Sequence, residues 1–131
     1  MKIVLVFSLS ILAAVVKTEI TPEQHQEMMD ISQACLAETG ATHDMVMKAL
    51  AGNFSDDPKF KEQLVCVGKG AGFLDEEGKY IREELKKKIM VLVDDEAKAD
   101  GIIEKCADEK ATPQETAFES TKCFFKEMRE I

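Results

Sequence analysis

Every proline in this chain follows a short polar residue of the kind that caps helices: Thr21-Pro22, Asp57-Pro58 and Thr112-Pro113. Proline has no N–H and holds φ near the helical value, so it suits the first helical position and little else in a helix. A Thr or Asp just before it offers a side-chain oxygen to the unpaired N–H groups of the first turn. Three helix starts are therefore marked in the sequence, each followed by apolar residues at helical spacing.

After Pro22, the residues Met28, Ile31, Cys35 and Leu36 keep one face apolar up to Gly40, which predicts a first helix with Cys35 on its buried stripe. Thr42 or Asp44 caps a short second helix with Met45, Val46, Ala49 and Leu50, stopped by Gly52-Asn53. The third helix starts at Pro58 and carries Phe60, Leu64 and Val67 on one stripe, with Cys66 at its edge. It loosens through Gly68, Gly70 and Gly72 into Phe73-Leu74 and the acidic turn Asp75-Glu76-Glu77-Gly78. A fourth helix, from about residue 79 to 93, turns Ile81, Leu85, Ile89, Leu92 and Val93 inward and keeps Lys86, Lys87 and Lys88 in water. The fifth begins at Asp94 or Asp95 and passes through Ile102, Ile103 and Cys106. The sixth bears Ala117, Phe118, Thr121, Phe124, Phe125 and Met128. No segment alternates apolar and polar residues as a half-buried strand does. The fold class expected is all-α, with about six short helices and no sheet.

Met1-Lys2 precede an apolar run from Ile3 to Val16, broken only by Ser8 and Ser10. The run is shorter than the roughly 20 residues a membrane span needs and has the layout of a secretory signal. Residues 1–18 are expected to be removed, with cleavage after Thr18 or after Ala14. Losing Lys2 and Lys17 leaves 15 basic against 25 acidic residues, a net charge of −10 in place of −8. That sign argues against nucleic acid and anionic membranes as partners.

Four cysteines in a secreted chain of this size predict two disulfides, with three pairings open. There is no Cys-x-x-Cys, and neither His25 nor His43 sits at metal-ligand spacing from a cysteine, so zinc is not expected. If Gly78 took the sixth position of a calcium loop, Phe73 would stand where the first carboxylate must be. No serine elbow, glycine-rich phosphate loop or pair of carboxylates in an apolar setting is present. Neither enzymatic activity, cofactor nor metal is expected. Asn53-Phe54-Ser55 is an N-glycosylation acceptor sequence, although Phe54 beside it favours burial.

The order and spacing of Cys35, Cys66, Cys106 and Cys123, with GFLDEEGKYI, IIEKCAD and ETAFESTKCFF around them, resemble the insect odorant-binding protein family. They are similar in particular to its four-cysteine subgroup. Six-cysteine members carry a cysteine four residues before the third and another nine before the sixth; here those positions are Glu62 and Gln114. The likeness runs from Thr21 to Met128. It implies the pairs Cys35–Cys66 and Cys106–Cys123, each worth roughly 3–4 kcal/mol by loop closure, with the middle bridge missing. Looser contact between the third and sixth helices is expected.

The resemblance also implies a secreted, extracellular carrier, with residues 19–131 forming a compact bundle around an apolar cavity. Such a carrier takes up odorants, pheromones or other lipid-like molecules and moves them through aqueous fluid. The inward stripes would supply the lining: Val67, Phe73, Leu74, Leu85, Ile89, Leu92, Ile103, Phe118, Thr121 and Phe125, with Thr121 or Tyr80 as polar anchor. Met28, Met47 and Met90 would be adaptable fillers. The partners implied are a small hydrophobic ligand and a chemosensory receptor, with no nucleic acid and no stable membrane insertion, in a monomer or weak homodimer. The eight residues from Phe124 to Ile131 can finish the last helix, so a tail that inserts into the cavity is not expected. A carrier of non-olfactory ligands and a disulfide-linked bundle with no ligand are the competing readings.

Overall fold

The computed structural model describes residues 21–130, so the expected signal segment lies outside the described residues. Among these are six helices: α1 (Pro22–Thr39), α2 (His43–Leu50), α3 (Pro58–Gly70), α4 (Arg82–Leu92), α5 (Glu96–Cys106) and α6 (Pro113–Arg129). None is long and apolar enough to cross a membrane.

Each threonine or aspartate before a proline caps its helix. Thr21 Oγ1 accepts from the Gln24 amide while the Gln24 side chain accepts from the Thr21 amide, a reciprocal capping box. Asp57 accepts from the Lys59 amide and Thr112 from the Glu115 amide. Where two caps compete in the sequence, Thr42 and Asp95 take the role.

The helices pack in a chain of neighbours, α1 on α3, α3 on α6, α6 on α5 and α5 on α4. Cys35–Cys66 joins α1 to α3, and Cys106–Cys123 joins α5 to α6. Beside the first bridge lies Gln63, only 1% exposed. Its side chain accepts from Thr39 Oγ1 and donates to the Ser32 carbonyl, both at 2.9 Å, so the buried amide keeps partners at each end. The main apolar core lies between α4, α5 and α6, built on Leu85, Ile89, Val93, Ile102, Ile103 and Cys106.

Two expected helix bounds are corrected. The third helix does not loosen at Gly68 but continues to Gly70. Gly68 is needed for close approach: a Cβ there would lie 2.6 Å from Leu74 Cδ1. Its carbonyl accepts from the Phe73 and Leu74 amides, which folds the loop back onto α3. The fourth helix starts at Arg82, not near residue 79, because the preceding residues are used in the turn. Asp75 Oδ1 accepts from the Glu77 and Lys79 amides, Leu74 and Tyr80 form an isolated antiparallel bridge, and the Ile81 amide bonds the Phe73 carbonyl. Gly78, at φ +83°, lets this turn rest on Pro113, 2.5 Å from where a Cβ would stand.

The buried face of α3 is Phe60, Gln63, Val65 and Gly68, whereas Leu64 and Val67 are half-buried. The helix is covered on two sides, by α1 and α6, so one stripe does not describe it. On α2 nothing is fully buried, and Leu50 is 66% exposed.

Candidate functional site

Because α3 and α4 do not pack closely on each other, the bundle keeps a gap between them. It forms a cavity of about 320 Å³, within the usual range for small-molecule sites. Leu64, Val67 and Gly68 of α3 make one wall, and Leu85, Lys88, Ile89 and Leu92 of α4 the opposite one. Ala117, Thr121, Phe124 and Met128 of α6 close the back, and the turn residues Phe73, Leu74 and Tyr80 complete the lining.

Only Tyr80, Thr121 and Lys88 bring polar side-chain groups to this lining. Burial pushes the Tyr80 phenol above its ordinary pKa, and the nearby Ser120 hydroxyl pulls weakly the other way. Ser120 Oγ is itself buried and has no well-formed hydrogen bond. The Tyr80 ring meets Phe124 edge-on, with centroids 6.3 Å apart, which holds the phenol at the wall.

A second, smaller cavity of about 190 Å³ lies between the N-terminal half of α1 and the end of α4. Gln24, Glu27, Met28 and Ile31 bound it from α1, and Val91 from α4. Phe73, Lys88 and Leu92 line both cavities and so separate them.

Of the lining residues expected from the sequence, Val67, Phe73, Leu74, Leu85, Ile89, Leu92 and Thr121 surround the larger cavity. Three do not. Ile103 is buried in the α4–α5–α6 core. Phe118 is also buried, but under two ammonium groups, those of Lys61 and Lys122, 4.7 and 4.4 Å from its ring centroid. Phe125 packs edge-on against Phe54 at 5.5 Å. Helical periodicity shows that a residue points inward, but α6 has two inward faces. Ala117, Thr121, Phe124 and Met128 face the cavity; Phe118 and Phe125 face elsewhere.

Leu64, Gly68, Lys88, Ala117, Phe124 and Met128 were not among the expected lining residues. The α3 stripe that holds Leu64 and the 117–121–124–128 spacing, each a single helical face, carry the sequence signal for four of them. Met28 borders the smaller cavity, Met90 packs against the core, and Met47 is exposed. Asn53 lies in an exposed position just after α2.

Comparison with known proteins points the same way. The model of the PBP/GOBP family matches residues 17–127. The chain is 35% identical to the B2 protein of Tenebrio molitor over 118 residues, 90% of this chain and 92% of that protein. It is 34% identical to the B1 protein of the same insect over an equal length, covering 90% and 91%. In fold it is similar to the fatty acid binding protein OBP56a from the oral disk of the blowfly Phormia regina, with a TM-score of 0.71, 22% identity, and 86% and 98% of the two chains covered. It is also similar to the odorant-binding protein OBP28a of Drosophila melanogaster, with a TM-score of 0.70, 24% identity, and 82% and 94% covered. A third neighbour is odorant binding protein 7 of Anopheles gambiae, solved with four disulfide bridges and an azo compound, at a TM-score of 0.65, 23% identity, and 82% and 88% covered.

Proposed function

The chain belongs to the PBP/GOBP family, and from that premise we propose that it is a secreted carrier that holds a small hydrophobic ligand in the α3–α4 cavity and conveys it through aqueous extracellular fluid. The observation that carries this reading is the cavity itself, which is walled almost entirely by apolar side chains and lies within a disulfide-stapled bundle. An apolar molecule placed there leaves water, at about 25 cal/mol per Å² of apolar surface removed. Tyr80 and Thr121 supply the few hydrogen-bonding groups that orient such a ligand.

Val67, Phe73, Leu74, Leu85, Ile89, Leu92 and Thr121 are the contacts assigned to the ligand, joined by Leu64, Phe124 and Met128. Two of the structural neighbours agree with this by name: one is titled a fatty acid binding protein, and another was solved with an azo compound. Delivery to a chemosensory receptor is the fate this role implies.

The test is uptake of an environment-sensitive naphthylamine dye by delipidated protein. Saturable fluorescence enhancement, reversed by small hydrophobic competitors, is the expected outcome. A well-folded, delipidated protein that takes up no dye would make it a packed bundle and end the carrier reading.

A further inference from the structure

Between α2 and α3 the chain runs without helix or strand, and there it holds the acceptor sequence Asn53-Phe54-Ser55. Such a sequence needs an accessible asparagine amide and a hydroxyl two residues on. Phe54 counts against its use, since an aromatic ring seeks burial.

The fold separates these two neighbours. The Asn53 amide N–H bonds the Lys48 carbonyl at 2.9 Å, and Gly52, at φ +93°, turns the chain out of α2. Gly52 and Phe54 then both rest on Phe125. A Cβ on Gly52 would lie 3.3 Å from that ring, and the Phe54 ring meets it edge-on at 5.5 Å. Asn53, between them, is exposed. Phe54 is covered without taking Asn53 with it.

The cover also comes late. The bonds that shape the segment are local: the one from Asn53 to Lys48, and one from the Asp57 amide to Ser55 Oγ at 3.1 Å. The ring that covers Phe54 stands on α6, the last of the described helices to be made. A nascent chain entering a secretory lumen therefore offers Asn53-Phe54-Ser55 unpacked, and the finished fold leaves the asparagine in water. There Asn53 borders an open hollow of about 670 Å³, with Thr42, Asp44 and Lys48 on the α2 side and Lys122 on α6. These donors and acceptors match sugar hydroxyls. No residue lines both this hollow and the α3–α4 cavity.

We propose that Asn53 is an N-glycosylation site and that the first sugars of its glycan occupy this hollow, away from the carried ligand. In the transfer, Asn53 Nδ2 forms a bond to C1 of an oligosaccharide held on a polyprenyl diphosphate. The bond from C1 to the diphosphate oxygen breaks, the lipid diphosphate leaves, and one amide proton is released. The proposal rests on the secreted part of the carrier reading, because this donor is met in the secretory lumen.

The experiment secretes the full chain from cultured insect cells and maps its peptides by mass. Treatment with a peptide N-glycosidase that tolerates core fucose, in heavy-oxygen water, is expected to release a glycan and leave a mass-tagged aspartate at position 53. Asn53→Gln and Ser55→Ala should abolish the glycan, and Ser55→Thr should keep it. Hydrogen exchange in α2 should be slower with the glycan than in Asn53→Gln or in the enzymatically stripped protein. Affinity for the naphthylamine dye should differ between these forms by less than about twofold. Secreted, folded protein with an unmodified Asn53 overturns the site. A glycan that leaves α2 exchange unchanged, or that alters dye affinity, overturns its place in the hollow. A chain retained in the cells without glycan is a different result and removes the secreted reading together with the site.

Discussion

The side-chain amide of Gln114 donates a 2.7 Å hydrogen bond to Glu62 Oε1, joining α6 to α3 at the two positions where six-cysteine relatives carry their middle bridge. One residue along on each helix, Lys61 pairs with Glu115 at 2.8 Å. The hydrogen bond to the Glu115 carboxylate raises the Lys61 pKa above the ordinary lysine value. A reversible polar latch thus lies where a covalent one is absent. An exposed hydrogen bond contributes about 1 kcal/mol or less, whereas a bridge contributes roughly 2–4 kcal/mol.

Restoring the bridge should therefore stiffen the molecule. Oxidised Glu62→Cys/Gln114→Cys is expected to gain roughly 2–4 kcal/mol over its reduced form. Hydrogen exchange in α3 and α6 should slow with it. Equal exchange in oxidised and reduced protein would show that the α3–α6 contact does not open in the native chain.

Gly68→Ala brings a methyl group to 2.6 Å from Leu74 Cδ1. Overpacking of this kind costs about 1–3 kcal/mol, and the better helix propensity of alanine returns up to about 1 kcal/mol. A net loss of about 1–2 kcal/mol in urea unfolding is expected, along with weaker dye binding, because Leu74 is pushed toward the cavity it lines. Unchanged stability and affinity would mean that the turn moves freely on α3.

Gln63→Leu keeps the volume but leaves the Ser32 carbonyl and the Thr39 hydroxyl without this partner. Thr39 Oγ1 keeps the Ala41 amide as a donor, so what is lost is two net hydrogen bonds of about 0.5–1.5 kcal/mol each. Destabilisation of about 1–3 kcal/mol is expected in chemical unfolding, with α1 losing exchange protection before α5. A neutral result would show that water replaces the amide.

Burial raises the pKa of Tyr80, so the folded state holds this proton more tightly than the unfolded chain does. Its contribution to stability is complete below the ordinary tyrosine value of about 10 and is lost as pH rises through the folded value. The lysines whose pKa is raised by ion pairs, among them Lys86 and Lys105, act in the same direction in the same alkaline range. The chain has one tyrosine and no tryptophan, so phenolate absorbance reports Tyr80 alone. The expected titration is displaced upward from free tyrosine and rises further with ligand bound. A curve at the ordinary value would place the phenol in water.

What the sequence disclosed was local chemistry. The Thr-Pro and Asp-Pro pairs carry their own reason for starting a helix, and α1, α3 and α6 begin there. What it hid depends on distant partners. Gln63 reads as a surface residue until Ser32 and Thr39, 31 and 24 positions away, come to meet it. Gly68 reads as a helix breaker until Leu74 occupies the space that its missing Cβ leaves. Phe118 and Phe124 share an apolar helix, and only the placement of α3, α4 and α5 around α6 sends one away from the cavity and the other into it. Lys88 was hidden among three lysines, two of which find acids outside the cavity.

The two disulfides close α1 to α3 and α5 to α6, so no covalent bond crosses between these stapled pairs, and the cavity takes walls from both, α3 and α6, as well as from α4. A molecule lodged there touches α3, α4 and α6 at once. It would act as a removable cross-link, stabilising the filled protein by RT ln(1 + [L]/Kd), or about 2.7 kcal/mol at a hundredfold excess over Kd. Thermodynamic linkage of this kind makes cargo a structural member of the bundle. The protein that has surrendered its ligand is then the looser of its two forms, and unloading and loosening become a single event.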